Sequence, residues 1–195
     1  MIASLAGVVA DRRGVAADEE ACLVDAARES IALFDVLYQR YRDRVYRYAR
    51  TRTADDEDAA DLTQQVFLRA IDALPQYSAR RGPFPAWLFG IARNAATDLL
   101  RRQRHRQTES DFGLVALPGQ FDDPIARVVR SEAIRDVRRL LASLDPAKRE
   151  LLALRYAAEL TIPEIAAVTG KSVAATSKQL SRLLQKLQEQ YDAGA

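Results

Sequence analysis

Most of the side chains in this sequence that could bind a charged ligand are arginines, and four of them lie within residues 101–106. No acidic residue lies among these four, which are Arg101, Arg102, Arg104 and Arg106. The residues before them recur at the three- and four-residue spacing of a helix, namely Trp87, Leu88, Ile91, Ala95, Asp98 and Leu99. Because arginine neutralises phosphate, residues 83–106 predict a helix anchored by its apolar face and bound to a polyanion at its basic end. The alternative is a core helix with a solvated arginine tail.

The loop before this helix, residues 76–85, adds a second kind of chemistry that nucleic acids attract. Its aromatic residues Tyr77 and Phe84 are expected to be free to stack on a base, as single-stranded or melted nucleic acid requires. The large residues on the periodic face of the helix are instead expected to be core anchors: Trp87, Leu88 and Ile91. The loop and the helix together predict a surface for nucleic acid.

Catalytic chemistry finds little support in the sequence. His105 lies within the arginine run, where an imidazole is a poor base, and no Ser/His/Asp set, phosphate loop or pair of carboxylates is recognisable. One histidine and one cysteine, Cys22, cannot form a zinc cluster or an internal disulfide. We therefore expect a cytoplasmic protein that is not an enzyme and uses no metal and no cofactor.

The elements that position these residues are predicted to be helices. Helical periodicity recurs along the chain and strand signals are nearly absent, so the expected fold class is all-α. The 195 residues are 48% hydrophobic and 29% charged with a net charge of only +2, which suits one or two small domains with local basic patches. Residues 1–18 are interpreted as an N-terminal extension, and no apolar run approaches the roughly 18 residues of a membrane span.

In the first half of the chain, residues 19–52 predict two helices with a break near Glu29 and Ser30. An acidic run, 55–58, leads into a further helix over 59–74, and its carboxylates suit the positive end of a helix dipole. An acidic surface does not bind nucleic acid. The run is therefore either a solvated cap or a surface for docking a protein.

A linker, residues 108–123, separates this half from the next, because Gly, Pro and acidic residues there show no sustained period. Pro124 can then open a helix. Its predicted buried face consists of Ile134, Val137, Leu141 and Leu144. Asp145 and Pro146 form the next cap and first-turn pair. They open a helix that runs through Leu151, Leu152, Leu154 and Tyr156.

The last segment has the proportions of a helix-turn-helix. Thr161 and Glu164 form a capping box at the start of a helix over 163–169. Gly170 supplies a left-handed turn residue, and Ser172 caps the last helix, whose apolar stripe is Val173, Thr176, Leu180, Leu183, Leu184 and Leu187. The open face could enter a major groove and has no acidic residue: Lys171, Ser172, Ala174, Ala175, Ser177, Lys178, Gln179, Ser181, Arg182 and Lys186. The alternative is an ordinary helical hairpin packed into a bundle.

Four motifs in order resemble the bacterial sigma factors of the extracytoplasmic-function (ECF) group, within the sigma-70 family. FDVLYQRYRDRVYRYAR resembles the first helix of sigma region 2, DAADLTQQVFLRAI its polymerase-docking helix, and PAWLFGIARNAATDLLRRQRH its promoter-melting helix. DPAKRELLALRYAAELTIPEIAAVTGKSVAATSKQLSRL resembles region 4. The resemblance implies an all-α protein with two small helical domains on a flexible linker: region 2 over 19–107, the acidic linker over 108–123 and region 4 over 124–191.

The resemblance also implies partners and residues. Core RNA polymerase would bind region 2 through the clamp coiled coil of its largest subunit and region 4 through its flap, with promoter DNA as second partner and a possible anti-sigma factor as third. The polymerase-binding residues would be Asp58, Asp61, Leu62, Gln64, Gln65 and Phe67. The minus-10 element would be read and melted by Tyr77, Arg80, Arg81, Phe84, Arg93, Asn94, Asp98, Arg101 and Arg102. The minus-35 element would be bound by Thr161, Lys171, Ser172, Ala175, Lys178, Gln179 and Arg182.

One departure from the family pattern lies in the predicted recognition helix. Gln179 stands where family members commonly carry an arginine, and the loss of a guanidinium that can be bidentate to guanine puts the usual minus-35 preference in doubt. Two competing functions are a stand-alone helix-turn-helix regulator and an adaptor that binds only protein. The first leaves the acidic helix start unexplained, and the second gives Arg101 and Arg102 no role in promoter opening.

Overall fold

The computed structural model describes residues 20–106, 141 and 143–194. Every regular element in those ranges is helical, which confirms the predicted all-α class. No helix among the described residues is long and apolar enough to cross a membrane. The predicted linker, the helix predicted to start at Pro124 with Ile134 and Val137, and the N-terminal extension lie outside the described residues.

The described part of the first half contains four α-helices: α1 (20–29), α2 (Ile31–Arg50), α3 (Asp56–Ala73) and α4 (Phe84–Arg106). The break between α1 and α2 falls at Ser30, whose backbone is extended, as predicted. Two short 3-10 turns, Leu74–Gln76 and Ala79–Arg81, lead from α3 towards α4.

Helix α3 begins three residues before the predicted start at 59, because an acidic residue caps it. The Asp55 carboxylate accepts a hydrogen bond from the backbone N–H of Asp58 at 2.8 Å, so the acidic residues that follow already belong to the first turn. Negative charge at that end opposes the positive pole of the helix dipole and is stabilising.

The core of the first half lies where α2, α3 and α4 meet, and it is rich in aromatic rings. Tyr48 on α2 and Phe89 on α4 are almost fully buried, with ring centroids 5.8 Å apart in an edge-to-face arrangement. Leu62 and Val66 of α3 fill the third side. Leu88 is fully buried, while Trp87 and Ile91 are partly buried against this core, which confirms the three predicted anchors.

The second half contains α5 (Pro146–Leu152), α6 (Ile162–Thr169) and α7 (Val173–Gly194). Asp145 caps α5 through the N–H of Lys148, with Pro146 in the first turn, as predicted. Helix α5 then widens into a π-helical turn, Ala153–Ala157. Tyr156 lies on this turn and is exposed, whereas the leucines predicted beside it are buried.

The turn chemistry predicted for the helix-turn-helix is confirmed. The Thr161 hydroxyl accepts the Glu164 N–H while the Glu164 carboxylate accepts the Thr161 N–H, a complete capping box. Gly170 ends α6 at φ 67°, the left-handed region that glycine enters without steric cost. The Ser172 hydroxyl caps α7 by accepting the Ala175 N–H at 3.2 Å.

The apolar stripe predicted for α7 is wrong at two positions. Thr176, Leu180 and Leu183 are buried, whereas Val173 is exposed and Leu184 is 37% exposed. Each residue advances about 100° around a helix, so a helix that packs along one narrow seam buries Leu183 and turns its neighbour outwards. The two halves share one continuous hydrophobic core, with α6 against α4 and the π-helical turn against α2.

Candidate polymerase and nucleic-acid interfaces

A cavity of about 160 Å³ lies at the loop that precedes α4. Its walls come mainly from the loop and the first turn of α4, with one residue from α6: Gln76, Tyr77, Ser78, Arg81, Gly82, Ala86, Trp87 and Ala167. The cavity combines aromatic faces, hydroxyl and amide groups and a guanidinium. These groups can stack on a base, hydrogen-bond to its edge and neutralise a phosphate.

The prediction that Phe84 is a free ring is wrong, because Phe84 is only 2% exposed. It is the first residue of α4 and not a loop residue. Its ring packs against Tyr41, Tyr77 and Trp87 with centroids 5.5, 5.7 and 5.3 Å away. The aromatic residues of the segment thus pack on one another, since their burial removes more apolar surface from water than exposure at a loop would.

Tyr77 is also largely buried, at 9% exposed, so it too is less free than predicted. Its hydroxyl donates to the carbonyl of Gly82 at 3.2 Å, which closes the loop on itself. Gly82 has φ 140°, a region that other L-residues rarely adopt. Burial raises the pKa of the Tyr77 hydroxyl, and the carboxylates of Glu20 and Asp25 raise it further. Tyr77 and Trp87 remain the aromatic walls of the cavity.

The remaining residues predicted for the minus-10 element divide by exposure. The exposed ones are Arg80, Arg81, Asn94, Arg101 and Arg102. Arg93 and Asp98 are partly buried. Asp98 accepts a hydrogen bond from Arg69 of α3 at 3.1 Å, so its carboxylate joins α3 to α4. The side chains of Arg104, His105 and Arg106 lie outside the described part of the structure.

Helix α3 presents a polar face on the side away from the core. Asp61, Gln64 and Gln65 are exposed there, and Asp58 is partly buried. Two residues predicted to touch a partner are core residues instead, since Leu62 is 2% and Phe67 4% exposed.

The apolar residue on the outer face of α3 is one that sequence reasoning missed. Leu68 is 63% exposed and lies one turn beyond Gln64. Helical spacing could have found it, because Leu68 falls outside the buried series of Leu62 and Val66. An exposed leucine among amides and carboxylates is suited to contact with protein.

The predicted recognition face of α7 is open. All seven residues predicted for the minus-35 element are exposed: Thr161, Lys171, Ser172, Ala175, Lys178, Gln179 and Arg182. The Lys171 ammonium donates to the Gln179 side-chain carbonyl at 2.9 Å, which fixes the amide across the turn. A second cavity, about 340 Å³, lies beside this face, with Lys148, Arg182 and Lys186 among its walls.

The described residues therefore form one polar surface suited to contact with protein, on α3, and two basic surfaces, on α4 and α7. Within the described ranges, no group of three or more His, Cys, Asp or Glu residues could hold a metal ion. Thr161 serves as a helix cap whose hydroxyl also contacts Glu164 at 2.8 Å.

Two family models match parts of this chain. Residues 37–106 match the family model of sigma-70 region 2, and residues 134–187 match that of sigma-70 region 4. The ECF RNA polymerase sigma factor SigM of Bacillus subtilis is 31% identical over 161 residues, which cover 82% of this chain and 96% of SigM. The ECF RNA polymerase sigma factor BldN of Streptomyces coelicolor is 33% identical over 155 residues, or 77% of this chain and 57% of BldN.

A solved structure shows the same architecture. CnrH, solved in complex with the cytosolic domain of CnrY, superposes with a TM-score of 0.67 at 29% identity, over 90% of this chain and 99% of that chain. Both regions thus occur here in the order of the family, on a matching fold. The chain belongs to the ECF group of the sigma-70 family, and its function is promoter-directed initiation of transcription with RNA polymerase.

Proposed function

We propose that the two regions divide this function as the family resemblance implies. Region 2, residues 19–107, binds core polymerase through the outer face of α3 and melts the minus-10 element with α4 and the loop before it. Region 4, residues 124–191, binds the minus-35 element through α7 and docks on the polymerase flap. Residues 108–123 serve as the linker between them.

The observation that carries this division is the separation of two unlike surfaces within region 2. The face of α3 exposes Asp61, Gln64 and Leu68, whereas α4 exposes Asn94 and Arg101. Nucleic acid repels the first surface and attracts the second. A stand-alone helix-turn-helix regulator would not account for the α3 face, and an adaptor that binds only protein would not account for the arginines of α4.

The test is transcription with purified core polymerase on a promoter that carries a mapped start site. Leu68→Ala together with Gln65→Ala should abolish polymerase binding and therefore initiation. Asn94→Ala together with Arg101→Ala should leave polymerase binding intact and abolish opening, measured as permanganate reactivity of unpaired thymines. Arg42→Ala, an exposed arginine of α2, is the matched control and should do neither.

Two outcomes would contradict the division. If the α4 variant lost polymerase binding, the two surfaces would not be separate in function. If the wild-type protein bound duplex promoter tightly by itself and added no initiation, the regulator would be the better description.

The finer properties follow from the same proposal. Sigma factors are not enzymes, so we assign no chemistry of its own to this chain, and its place of action is the cytoplasm, with the polymerase. CnrH was solved with a protein partner bound. By analogy we assign this chain an anti-sigma factor as a further partner, whose binding would compete with polymerase.

A further inference from the structure

A carboxylate lies in the middle of the face of α4 that is assigned to DNA. Residues three or four positions apart on a helix lie on one face, so Asp98 shares its face with Asn94, Arg101 and Arg102. Each of these four side chains is at least partly exposed. Because a carboxylate repels phosphate, this face binds DNA well only if another group compensates the charge of Asp98.

The nearest groups along the helix are the arginines that DNA needs. An acidic residue three or four positions before a basic one is the favourable order for an ion pair on a helix. Asp98 stands in this order with both Arg101 and Arg102. A guanidinium paired in this way would have fewer donors left for phosphate. Among the described residues, however, neither arginine pairs with Asp98.

The charge of Asp98 is met instead by an arginine of the neighbouring helix. The Arg69 guanidinium of α3 donates to the Asp98 carboxylate at 3.1 Å. Helix α3 packs against α4, and Ala70, the residue after Arg69, is fully buried. The two charged side chains are 39% and 42% exposed, and pairs this exposed contribute little to stability. The main effect of the pair is therefore on the distribution of charge.

The charges on this face can be counted with and without Arg69. With Arg69 in place, its positive charge cancels the negative charge of Asp98, and the charges of both Arg101 and Arg102 remain for phosphate. Without Arg69, Asp98 cancels one of those two charges. The presence of Arg69 should thus be worth about one phosphate contact.

We propose that Arg69 is a positioning residue for promoter DNA, which holds the Asp98 carboxylate and thereby leaves Arg101 and Arg102 free to contact phosphate. Arg69 directly follows Leu68, so it lies beside the face of α3 that is assigned to polymerase, but it acts through α4. The inference rests on the proposed function of α4 in binding DNA.

Promoter binding by the reconstituted polymerase holoenzyme, measured over a range of salt concentrations, tests this role. Arg69→Ala should make the dependence of log K on log salt less steep by about one contact. Between about 50 and about 200 mM salt, one contact corresponds to about a threefold difference in the loss of affinity. Asp98→Asn should make the dependence steeper by about one contact, because Arg69 is then free for phosphate. The double variant should return to the wild-type dependence.

The double variant separates this role from a purely structural one. If the pair only held α3 against α4, Arg69→Ala and Asp98→Asn would break the same contact. Both would then weaken promoter binding, and the double variant would bind no better than either, which would overturn the proposal. Arg69→Lys keeps the charge and should keep most of the salt dependence. Arg42→Ala, which removes an arginine paired with Asp43 on α2, is the matched control and should leave the dependence unchanged.

Binding to core polymerase, measured in parallel, separates the two faces of region 2. Each variant should bind core polymerase as the wild type does. If Arg69→Ala weakened that binding and left the salt dependence unchanged, Arg69 would belong to the polymerase surface and the proposal would be wrong. If Arg101→Ala with Arg102→Ala also left the dependence unchanged, the proposed function of α4 would fail, and this inference with it. Failure of the double variant to restore binding, while the arginine pair does matter, would overturn this inference alone.

Discussion

The two helices assigned to DNA, α4 and α7, are held by the molecule in opposite ways. Helix α4 is built into the core, with Leu88, Phe89 and Ala92 at 1% exposed or less. Helix α7 touches the core along one seam through Thr176, Leu180 and Leu183, and both flanks face solvent. A helix that separates strands needs a fixed base, whereas a helix that reads a groove needs an open face. Substitutions on the buried face of α4 are therefore expected to lower the stability, whereas substitutions on the exposed face of α7 are not.

The sharpest way to break this comparison is to truncate a leucine on each helix. Leu88→Ala in α4 removes a fully buried side chain and should lower the free energy of unfolding by about 2–5 kcal/mol. Leu184→Ala in α7 should lower it by only about 1 kcal/mol, because that side chain is 37% exposed and leaves no enclosed cavity. Urea unfolding followed by circular dichroism measures both. Equal losses would mean that α7 packs as tightly as α4.

Removal of positive charge should weaken DNA binding by both helices without changing the free energy of unfolding. Arg101→Ala with Arg102→Ala, and Lys178→Ala with Arg182→Ala, should each reduce the dependence of log K on log salt by about two contacts. The measurement is promoter binding by the polymerase holoenzyme between low and moderate salt. If only one pair altered the slope, the other would not contact phosphates.

Base preference should respond at α7 to a single substitution. Gln179→Arg removes the amide oxygen to which Lys171 donates a hydrogen bond. It introduces a guanidinium group that can form two hydrogen bonds to guanine. Discrimination in favour of guanine at one minus-35 position should rise by about 1–3 kcal/mol. Gln185→Arg, which adds the same charge farther along the helix, is the control. Binding across a set of singly substituted duplexes distinguishes specific from uniform tightening.

The smallest expected effect concerns the cap that positions α7 through α6. Thr161→Ala removes both hydrogen bonds of its hydroxyl and should cost about 1 kcal/mol of unfolding free energy. Thr161→Ser keeps the hydroxyl and should cost much less. A thermal melt of the two variants decides this, and equal losses would mean that the methyl group matters more than the cap.

Local features were the most predictable from sequence. The Asp145, Thr161 and Ser172 caps, the Gly170 turn and the core anchors of α4 follow from rules that act within a few residues, and all are present. Helix bounds differed where a cap acted earlier than expected, as at Asp55.

Tertiary packing was less predictable. Whether an aromatic residue beside a loop faces a ligand or the core depends on what lies across from it, and Phe84 meets Tyr41, which is 43 positions earlier. Family motifs mixed core and surface residues, so Leu62 and Phe67 were assigned to a partner while Leu68 was missed. The contact between the two halves joins polar groups about a hundred residues apart, such as Tyr48 and Glu150, and no periodic pattern marks such a pair.

The polar contacts between the halves, in which Tyr48 and Arg52 meet the Glu150 carboxylate, also bear on how the chain is made. Tyr48 leaves the ribosome 102 residues before Glu150, its partner. Synthesis proceeds at roughly 5–20 residues per second, so Tyr48 waits about 5–20 s for its partner. Apolar residues at these positions would be exposed during that interval and could associate with other nascent chains. Guanidinium groups instead remain hydrated. Polar side chains at these positions of α2 therefore reduce, although they do not remove, the apolar surface that the first half exposes before the second half is made.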